Sequence, residues 1–431
     1  MKTKRLLGFF VFVTTMALTS CTQEQDYDLN AAKSITPTAT ENYQVSQEEA
    51  VAIATNAVIS LGGYETRAGN TDRMLTVKNI SRVPEQTRNT EQPETFFYVV
   101  NFEEGGYAVV PSDKRATSVY ALSNEGYFSP DANDGVKLFM DMAEDYLKNE
   151  ILVFDPDSIP LIHGGQFGDW EKIWGDDDMH NYPIINIGGH DCYDKVTRTQ
   201  STPFYLLETK WGQGYPYNNE CFTDNGARAV TGCVATALAQ IMAYHKQPQS
   251  YKGHYYYWDY MPQSQSDYDG STEAYSVCYL MNDIGKAVSM NYGTDESGAY
   301  SKRCPFALSL FGYSCDGLND YNASNIVTSL DNNMPVYLDG QDQYSGTGHA
   351  WVADGYYYIR IQHQYYSTEN LSPYGQFVEM TYYFHMNWGW DGYGTNDNNG
   401  YYLSKVFNPE VGYYTYSYED LNMICNIKYN R

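Results

Sequence analysis

The sequence predicts an α+β protein, and three observations support this class. Amphipathic helical patterns come first, with apolar residues at helical spacing on both sides of residue 200. After Met334 the chain consists of short runs of Val, Tyr, Ile and Trp between Gly and Asn turns, which is typical of β-strands. The composition, with 44 Tyr, 35 Gly and 19% charged residues, also indicates a β-rich exported protein. Helices followed by strands within one domain favour α+β over a parallel doubly wound sheet.

The N-terminus has the pattern of a bacterial lipoprotein signal. Basic residues within positions 1–5 precede an apolar stretch from Leu6 to Leu18, which is too short to span a membrane. The stretch ends in Leu18-Thr19-Ser20-Cys21, which resembles a lipobox. We therefore predict a signal peptide over residues 1–20 and a lipid on Cys21 that anchors the protein without spanning the bilayer. An ordinary signal peptide that contains a cysteine is the alternative.

Residues 21–44 are polar and rich in Thr and Asn, and they predict a flexible tether. Together with the signal, the tether predicts a cell-envelope lipoprotein, in the outer membrane facing the periplasm or the outside, or a protein secreted after processing. The formal net charge of −26 argues against nucleic acid and against an anionic membrane surface as partners. The expected contact with a membrane is therefore the lipid alone.

Residues 45–155 predict a compact α+β unit. The capping box Ser46-Gln47-Glu48-Glu49 precedes an amphipathic helix that stops at Gly62. Two apolar runs, 96–102 and 107–110, flank Glu and Gly residues and predict a hairpin. A second helix is predicted over 136–152.

The next segment, residues 156–200, predicts a loop because it is rich in Asp-Pro, Gly-Gly and consecutive Asp residues. The composition changes at its end. We therefore predict a domain boundary that separates residues 45–197 from residues 198–431.

Cys233 stands at the start of a helical pattern, and this position predicts chemistry. Val234, Ala237, Leu238 and Ile241 mark one apolar face behind it. A thiol at a helix N-terminus lies beside unpaired N–H groups at the positive end of the macrodipole, which lowers its pKa and favours the nucleophilic thiolate. The alternative is a buried structural cysteine, since free Cys is among the most buried residue types.

The remaining cysteines and histidines do not predict a metal site. The chain has no C-x-x-C pair and no Cys/His cluster at zinc spacing, so we predict neither a metal nor a cofactor. An exported compartment permits disulfides, and Cys304 with Cys315 could close a loop.

Two histidines are candidate bases for a cysteine nucleophile. His245 lies twelve residues along the helix from Cys233, roughly 18 Å away, and cannot reach the thiol. His349 follows a Gly-rich turn at a strand start, whereas His385 shares a strand face with Asn387. Because residues two apart on a strand lie about 7 Å apart, too far for a hydrogen bond, Asn387 is better placed to orient a base on a neighbouring strand. This geometry favours His349 and leaves His385 as a competitor.

An oxyanion donor is also required. Gln213, in Trp211-Gly212-Gln213-Gly214, precedes Cys233 by twenty residues and is the natural choice beside the Cys233 N–H. Taken alone, Gln213 reads as a solvated loop amide and Asn387 as a turn residue. The order Gln, Cys, His, Asn is much less expected by chance.

These motifs resemble those of the streptopain family, which are papain-like cysteine proteases of bacteria. The resembling segments are Trp211-Gly212-Gln213, Pro216-Tyr217-Asn218, residues 231–237, residues 283–293, residues 348–352 and Asn387-Trp388-Gly389-Trp390. Upstream, residues 106–113 are similar to the family's propeptide, although Pro111-Ser112-Asp113 departs from its usual pattern.

The resemblance implies a papain-like catalytic domain, with a helical part and an antiparallel β part, behind an α+β propeptide domain. It implies Cys233 as nucleophile and His349 as its base. It also implies Gln213 as oxyanion donor, Asn387 as the residue that orients the imidazole, and Trp388 as the shield of that hydrogen bond from water.

The resulting hypothesis is a lipid-anchored cysteine endopeptidase made as a zymogen. It acts on protein or peptide substrates and is inhibited by its own propeptide. Lys195 and Arg198 flank the expected maturation region. An acyltransferase that uses the same residues, and a surface binding protein with an inactive site, are the alternatives.

Overall fold

The structure is a computed structural model that describes residues 43–62, 75–84, 95–153, 184–187, 190–341, 348–391, 398–407, 410–411, 414–415 and 421–430. The predicted signal peptide, Cys21 and all of the predicted tether except its last two residues lie outside these ranges. Within these ranges, no helix combines the length and apolar character needed to span a bilayer.

The described residues form six α-helices. In chain order these are α1 Gln47–Leu61, α2 Asp134–Val153, α3 Cys233–His245, α4 Ser276–Ala287, α5 Cys304–Leu310 and α6 Ala323–Asp331. The capping box predicted at the start of α1 is present, since Ser46 Oγ accepts from the Glu49 N–H at 3.2 Å and the Glu49 carboxylate accepts from the Ser46 N–H at 2.8 Å. Such a box satisfies two otherwise unpaired N–H groups and fixes where the helix begins.

The described residues also form β-strands. They are β1 Val77–Pro84, β2 Thr95–Phe102, β3 Tyr107–Pro111, β4 Ala121–Ser123, β5 Ile184–Ile187, β6 His190–Gln200, β7 Phe204–Tyr205, β8 Ser250–Tyr251, β9 His254–Tyr255, β10 Tyr313–Ser314, β11 Asn319–Asp320, β12 Val336–Gln341, β13 Gly348–Ser367, β14 Pro373–Asn387, β15 Gly400–Leu403, β16 Glu410–Val411, β17 Tyr414–Thr415, β18 Asn422–Ile424 and β19 Lys428–Tyr429. The predicted hairpin is present, because β2 pairs antiparallel with β3.

One antiparallel sheet runs through both predicted domains. Its main path is β1-β2-β3-β4-β15-β14-β13-β12-β18-β11, with β5, β6 and β7 attached through β13. The N-terminal strands join the C-terminal ones where β4 pairs with β15, with Ala121 opposite Tyr402 and Leu122 opposite Tyr401. The α+β class predicted from the sequence is therefore confirmed.

Strand β13 separates two hydrophobic cores. Ala350 and Val352 pack with the apolar residues of α3 and α4 in one core. Trp351 and Ala353 pack with residues of α1, α2 and β1–β4 in the other. This alternation follows from the two-residue period of a strand. Each face of β13 therefore serves a different part of the chain.

The loop predicted over residues 156–200 is wrong at its C-terminal end. There β5 and β6 form an antiparallel pair, and β6 also pairs with residues 359–367 of β13. Its buried positions alternate as Cys192, Asp194 and Val196, and the buried Asp194 pairs with His363 at 2.8 Å. The pattern was hidden because a buried Asp reads as a solvent-facing residue until its partner is known. The predicted boundary between residues 197 and 198 falls inside β6 and stays a prediction.

Candidate active site

Cys233 is the first residue of α3, as the sequence predicts. Gly232 before it has a φ of +85°, a conformation that glycine adopts without steric cost. A Cβ on Gly232 would also lie 2.6 Å from the Met290 methyl carbon. Glycine is therefore required both by the backbone and by the packing at the start of this helix.

The thiol of Cys233 lies among backbone N–H groups but is not acidic in this structure. Burial raises its pKa, while the N–H groups of Ala350, Val234 and Cys233 itself oppose that effect. The predicted lowering of the pKa is therefore wrong for this form of the protein. The helix N-terminus does stabilise the thiolate, but the loss of solvent outweighs it.

His349 stands at the start of β13 and does not contact the thiol. Its Nε2 lies 2.8 Å from the backbone oxygen of Trp388, which can only accept, so Nε2 carries the hydrogen. The imidazole packs beside Trp351, which faces the core that contains α2. Among the described residues, no hydrogen bond joins His349 to Cys233.

The start of α2 packs directly against His349. A Cβ on Gly135 would lie 2.5 Å from His349 Cδ2 and 2.5 Å from Trp388 Cε3, so only a glycine permits this approach. Asn133 fixes the helix start, because its Oδ1 accepts from the Val136 N–H at 2.9 Å. This contact buries the imidazole and covers it from solvent.

Burial is also the main influence on the charge of His349. It lowers the pKa of the imidazole, against the opposing effects of the Trp388 carbonyl and the Asp134 carboxylate. A neutral imidazole and a neutral thiol therefore occupy the site. The reactive thiolate–imidazolium pair is not assembled.

Asn387 is close to the site but bonded to other partners. Its Nδ2 donates to the Thr209 carbonyl at 2.7 Å, and its Oδ1 accepts from Gln240 Nε2 at 3.0 Å and from the Gly389 N–H at 3.1 Å. The predicted hydrogen bond to His349 is not formed, because the imidazole donates one residue further along, to the Trp388 carbonyl. The role of Asn387 stays a prediction.

Trp388 packs near His349. Its ring is fully buried and packs 6.3 Å from the His349 ring, between centroids, and 5.1 Å from each of Trp351 and Tyr402. In this form the ring covers the bond between His349 and the Trp388 carbonyl. Its shielding of a His349–Asn387 bond stays a prediction.

Gln213 is attached to the chain just before the nucleophile. Its backbone oxygen accepts from the Thr231 N–H at 3.0 Å, two residues before Cys233. The neighbouring Tyr217 hydroxyl donates to Asp391 Oδ2 at 2.6 Å, and a Cβ on Gly212 would lie 2.7 Å from the Asp391 backbone nitrogen. The Gln213 loop is therefore fixed from two sides beside the start of α3, and the role of Gln213 as oxyanion donor stays a prediction.

His385, the competing candidate base, contacts groups that stabilise the fold. Its Nδ1 lies 2.6 Å from Asp354 Oδ1, and its ring stacks on Tyr205 with centroids 4.5 Å apart. The other oxygen of the buried Asp354 accepts from the Leu207 N–H at 2.9 Å. His385 thus helps to attach the chain around β7 to the sheet, and among the described residues it makes no hydrogen bond to Cys233.

Two residues of the site were missed by the sequence reasoning. Gly135 carries no chemical group, so nothing in its sequence context marks it. Gln240 could have been found, because it and Thr236 are the two polar residues in the otherwise apolar run 234–242, and Gln240 lies at i+7 from Cys233.

The described cysteines are all free, so Cys304 and Cys315 do not form the disulfide that the sequence allowed. No group of His, Cys, Asp or Glu side chains that could hold a metal ion occurs within the described residues.

Comparisons with known proteins agree with this geometry. Residues 211–402 match the model of the Peptidase C10 family, and residues 42–147 match that of the Spi protease inhibitor. The chain is 27% identical to the thiol protease/hemagglutinin PrtT of Porphyromonas gingivalis over 350 residues, which are 74% of this chain and 35% of PrtT. It is 24% identical to streptopain of Streptococcus pyogenes over 364 residues, which are 73% of this chain and 75% of streptopain.

A solved structure gives the same fold. The chain superposes on a prointerpain A fragment of Prevotella intermedia with a TM-score of 0.50 at 21% identity, covering 81% of this chain and 100% of the fragment. Such a likeness supports the predicted α+β papain-like fold with a propeptide. Residues 211–402 thus form a streptopain-like cysteine endopeptidase domain of the Peptidase C10 family, and residues 42–147 before it form a Spi protease inhibitor domain.

Proposed function

We propose that this chain is a lipid-anchored cysteine endopeptidase made as a latent precursor, with Cys233 as nucleophile and His349 as base. The observation that carries the proposal is the packing of α2 against His349. Gly135, within the inhibitor domain, excludes solvent from the imidazole of the endopeptidase domain and leaves no room beside it. An inhibitor that touches the base needs no other contact to keep the site inactive.

Activation then requires a movement of His349. Removal of α2 gives the imidazole room to leave the Trp388 carbonyl and to turn toward the face of β13 that packs against α3. The Cys233 helix is on that face, since Ala350 and Val352 pack with its apolar residues, and the Ala350 N–H interacts with the thiol. Once the two groups meet, proton transfer from sulfur to nitrogen gives the thiolate–imidazolium pair.

The reaction follows from that pair. The thiolate attacks the peptide carbonyl, and the Gln213 side chain and the Cys233 N–H stabilise the oxyanion. His349 gives its proton to the leaving amine, which departs with the C-terminal part of the substrate. Water, deprotonated by His349, then hydrolyses the thioester and restores the thiol.

The Cys233→Ala chain tests the chemistry. We purify the wild-type and the Cys233→Ala precursors, incubate both under identical conditions, and follow self-processing and casein hydrolysis. The wild type is expected to mature and hydrolyse casein, whereas the variant does neither. Equal rates in the two chains would show that the nucleophile is a different group.

The lipid anchor is a separate part of the proposal and rests on the sequence around Cys21 alone. Cells fed a labelled fatty acid are expected to incorporate label into the wild-type chain, and the Cys21→Ala chain is expected to incorporate none and to leave the membrane fraction. Absence of label from the wild type would refute the anchor and leave the endopeptidase proposal intact.

A further inference from the structure

Gln240 connects the nucleophile helix α3 to Asn387 and to the chain that leads to Gln213, although it is not one of the predicted site residues. It lies on α3, seven residues after Cys233 and therefore two turns along the same face. Its side chain is fully buried. Its Oε1 accepts from the Trp211 N–H and from Thr209 Oγ1, each at 3.1 Å, and its Nε2 donates to Asn387 Oδ1 at 3.0 Å.

The direction of these hydrogen bonds is fixed at both ends. The Trp211 backbone N–H can only donate, so the Gln240 atom that faces it must be the oxygen. The Gln240 nitrogen must then face Asn387, and it requires an acceptor there. At the far end the Thr209 carbonyl can only accept, so Asn387 must present its nitrogen to Thr209.

The amide orientation of Asn387 is therefore determined by Gln240 together with two backbone groups of the chain that leads to Gln213. The Gly389 N–H supports the same orientation, because it donates to the same Asn387 oxygen. In the active form this oxygen would accept from the imidazole in place of one of the two donors that occupy it here, Gln240 Nε2 or the Gly389 N–H. A reversed Asn387 amide would present a donor to a donor.

We propose that Gln240 is a positioning residue, which sets the amide orientation of Asn387 and fixes the chain before Gln213 relative to the nucleophile helix. It contacts no substrate atom. The inference rests on the proposed function, since it assigns to Gln240 the support of Asn387 and Gln213.

Replacement of Gln240 by its isosteric acid separates this role from packing. When it is ionised, the Gln240→Glu side chain can still accept from the Trp211 N–H, but it has no hydrogen to donate to Asn387; the Gln240→Met side chain has none at any pH. Either Asn387 reverses and loses its bonds to Thr209 and Gly389, or two oxygens face each other across 3.0 Å. In both cases Asn387 leaves the geometry in which it can orient His349.

A double-mutant cycle is the test. The wild-type, Gln240→Glu, Asn387→Ala and double-variant full chains are matured by a trace of tagged wild-type chain, which is then removed. Hydrolysis of a fluorogenic peptide is normalised to the number of Cys233 thiols that a probe labels. Gln240→Met, which removes donor and acceptor at similar length, is carried through the same cycle in case a buried Glu prevents folding.

The proposal expects kcat to fall tenfold or more in the Gln240 variants while KM changes by less than about twofold, because misplacement by an ångström costs up to about a hundredfold in rate. In the Asn387→Ala background the same changes are expected to lower kcat by less than about threefold further, since residues that act as a unit are not additive. Asn282→Asp is the matched control, an amide-to-acid change at another buried helix position, on α4, and kcat is expected to stay unchanged.

Additive losses, or Gln240 variants with wild-type kcat, would overturn the inference. A wild-type chain that hydrolyses no peptide would instead overturn the proposed function, so the two failures are distinguishable.

Discussion

His349 lies at the start of β13 and His385 near the end of β14, but the groups that surround the two imidazoles differ. His349 is held by the Trp388 carbonyl and by contact with α2, and the contact with α2 is lost when α2 leaves. His385 is held by a buried carboxylate and a stacked ring, and neither belongs to α2. Only His349 is therefore placed to change partners on activation.

Separate replacement of the two histidines tests this difference. In the matured enzyme His349→Ala is expected to lower kcat by at least about a hundredfold, because general base catalysis contributes that much. His385→Ala is expected to retain most of kcat but to lower the melting temperature, since it leaves Asp354 without one of its hydrogen bonds. Peptide hydrolysis and thermal unfolding measure the two effects. A large loss of kcat with His385→Ala alone would reverse the assignment.

The raised pKa of Cys233 predicts how the thiol reacts with pH. In the precursor the thiolate fraction at pH 7 is expected to lie below the few per cent of a free cysteine, so that alkylation by iodoacetamide accelerates only at alkaline pH. In the matured enzyme the imidazolium stabilises the thiolate, so that alkylation continues into the acidic range and stops only below the lowered pKa. Mass spectrometry of the Cys233 peptide follows both reactions.

Cys315 is the internal control for that experiment. Burial raises its pKa too, and its surroundings belong to the endopeptidase domain alone. Its alkylation profile is therefore expected to be the same before and after maturation. If Cys233 of the precursor were alkylated rapidly at pH 6, the thiol would already be ionised, and the account of latency would be wrong.

At the scale of single residues, the sequence predicted which elements of the site lie close together but not the hydrogen bonds between their side chains. The loop of Gln213, the start of α3, the start of β13 and the end of β14 do meet, because the motif residues lie at the ends of these elements. The face on which His349 lies could not be predicted, since it depends on α2, more than 200 residues earlier. The direction of the Cys233 pKa shift could not be predicted either, because it depends on how deeply the packed chain buries the thiol.

Among the elements, α2 is the one that the proposed function makes responsible for latency. Gly135→Ala keeps the helix, because alanine is the better helix former, but its methyl group has no room beside His349 and Trp388. The overpacking is expected to cost about 1–3 kcal/mol of α2 docking. The precursor is therefore expected to mature faster and to show measurable peptidase activity before processing.

Gly375→Ala is the matched control for this change. A Cβ there meets nothing closer than the Tyr365 ring at 3.8 Å, and the site is remote from α2. This variant is expected to mature at the wild-type rate. If the Gly135→Ala precursor showed as little peptidase activity as the wild-type precursor, α2 would not act through this contact.

Strand β6 carries the predicted maturation region in a protected form. Asp194 and His363 are both almost fully buried, and Asp194→Ala leaves the imidazole without its partner at a cost of about 1–3 kcal/mol. Limited trypsin digestion after Lys195 and Arg198 is expected to be faster in this variant. Asp191→Ala changes an exposed carboxylate of the same strand and is expected to have little effect. Equal cleavage in all three chains would mean that β6 is not protected by this pair.

The helices were predicted better than the strands. Capping and 3.6-residue periodicity are local, and they located α1, α2 and α3 to within a few residues. By contrast, β6 acquires its partner from β13, some 160 residues later, and its buried polar side chain breaks the apolar alternation. Long-range pairing of this kind leaves little trace in a local sequence pattern.

At the scale of the whole molecule, the inhibitor domain and the endopeptidase domain share the largest sheet of the described residues. Pairing of β4 with β15 extends the enzyme's sheet into the inhibitor domain, and Phe139 of α2 packs on Tyr402 and Phe407 with centroids 4.7 Å and 5.6 Å apart. The sheet and the core thus hold α2 on His349. Under the proposed function, latency follows from this arrangement, and activity is expected only after the removal of α2.

The most direct measurement is the rate of peptide hydrolysis per Cys233 thiol, taken on the same wild-type sample before and after loss of the inhibitor domain, with the new N-terminus sequenced at each time point. The account predicts almost no hydrolysis in the intact chain, and activity that rises in step with the removal of α2. It is contradicted if the intact chain, with α2 still attached, hydrolyses the peptide at the rate of the processed enzyme.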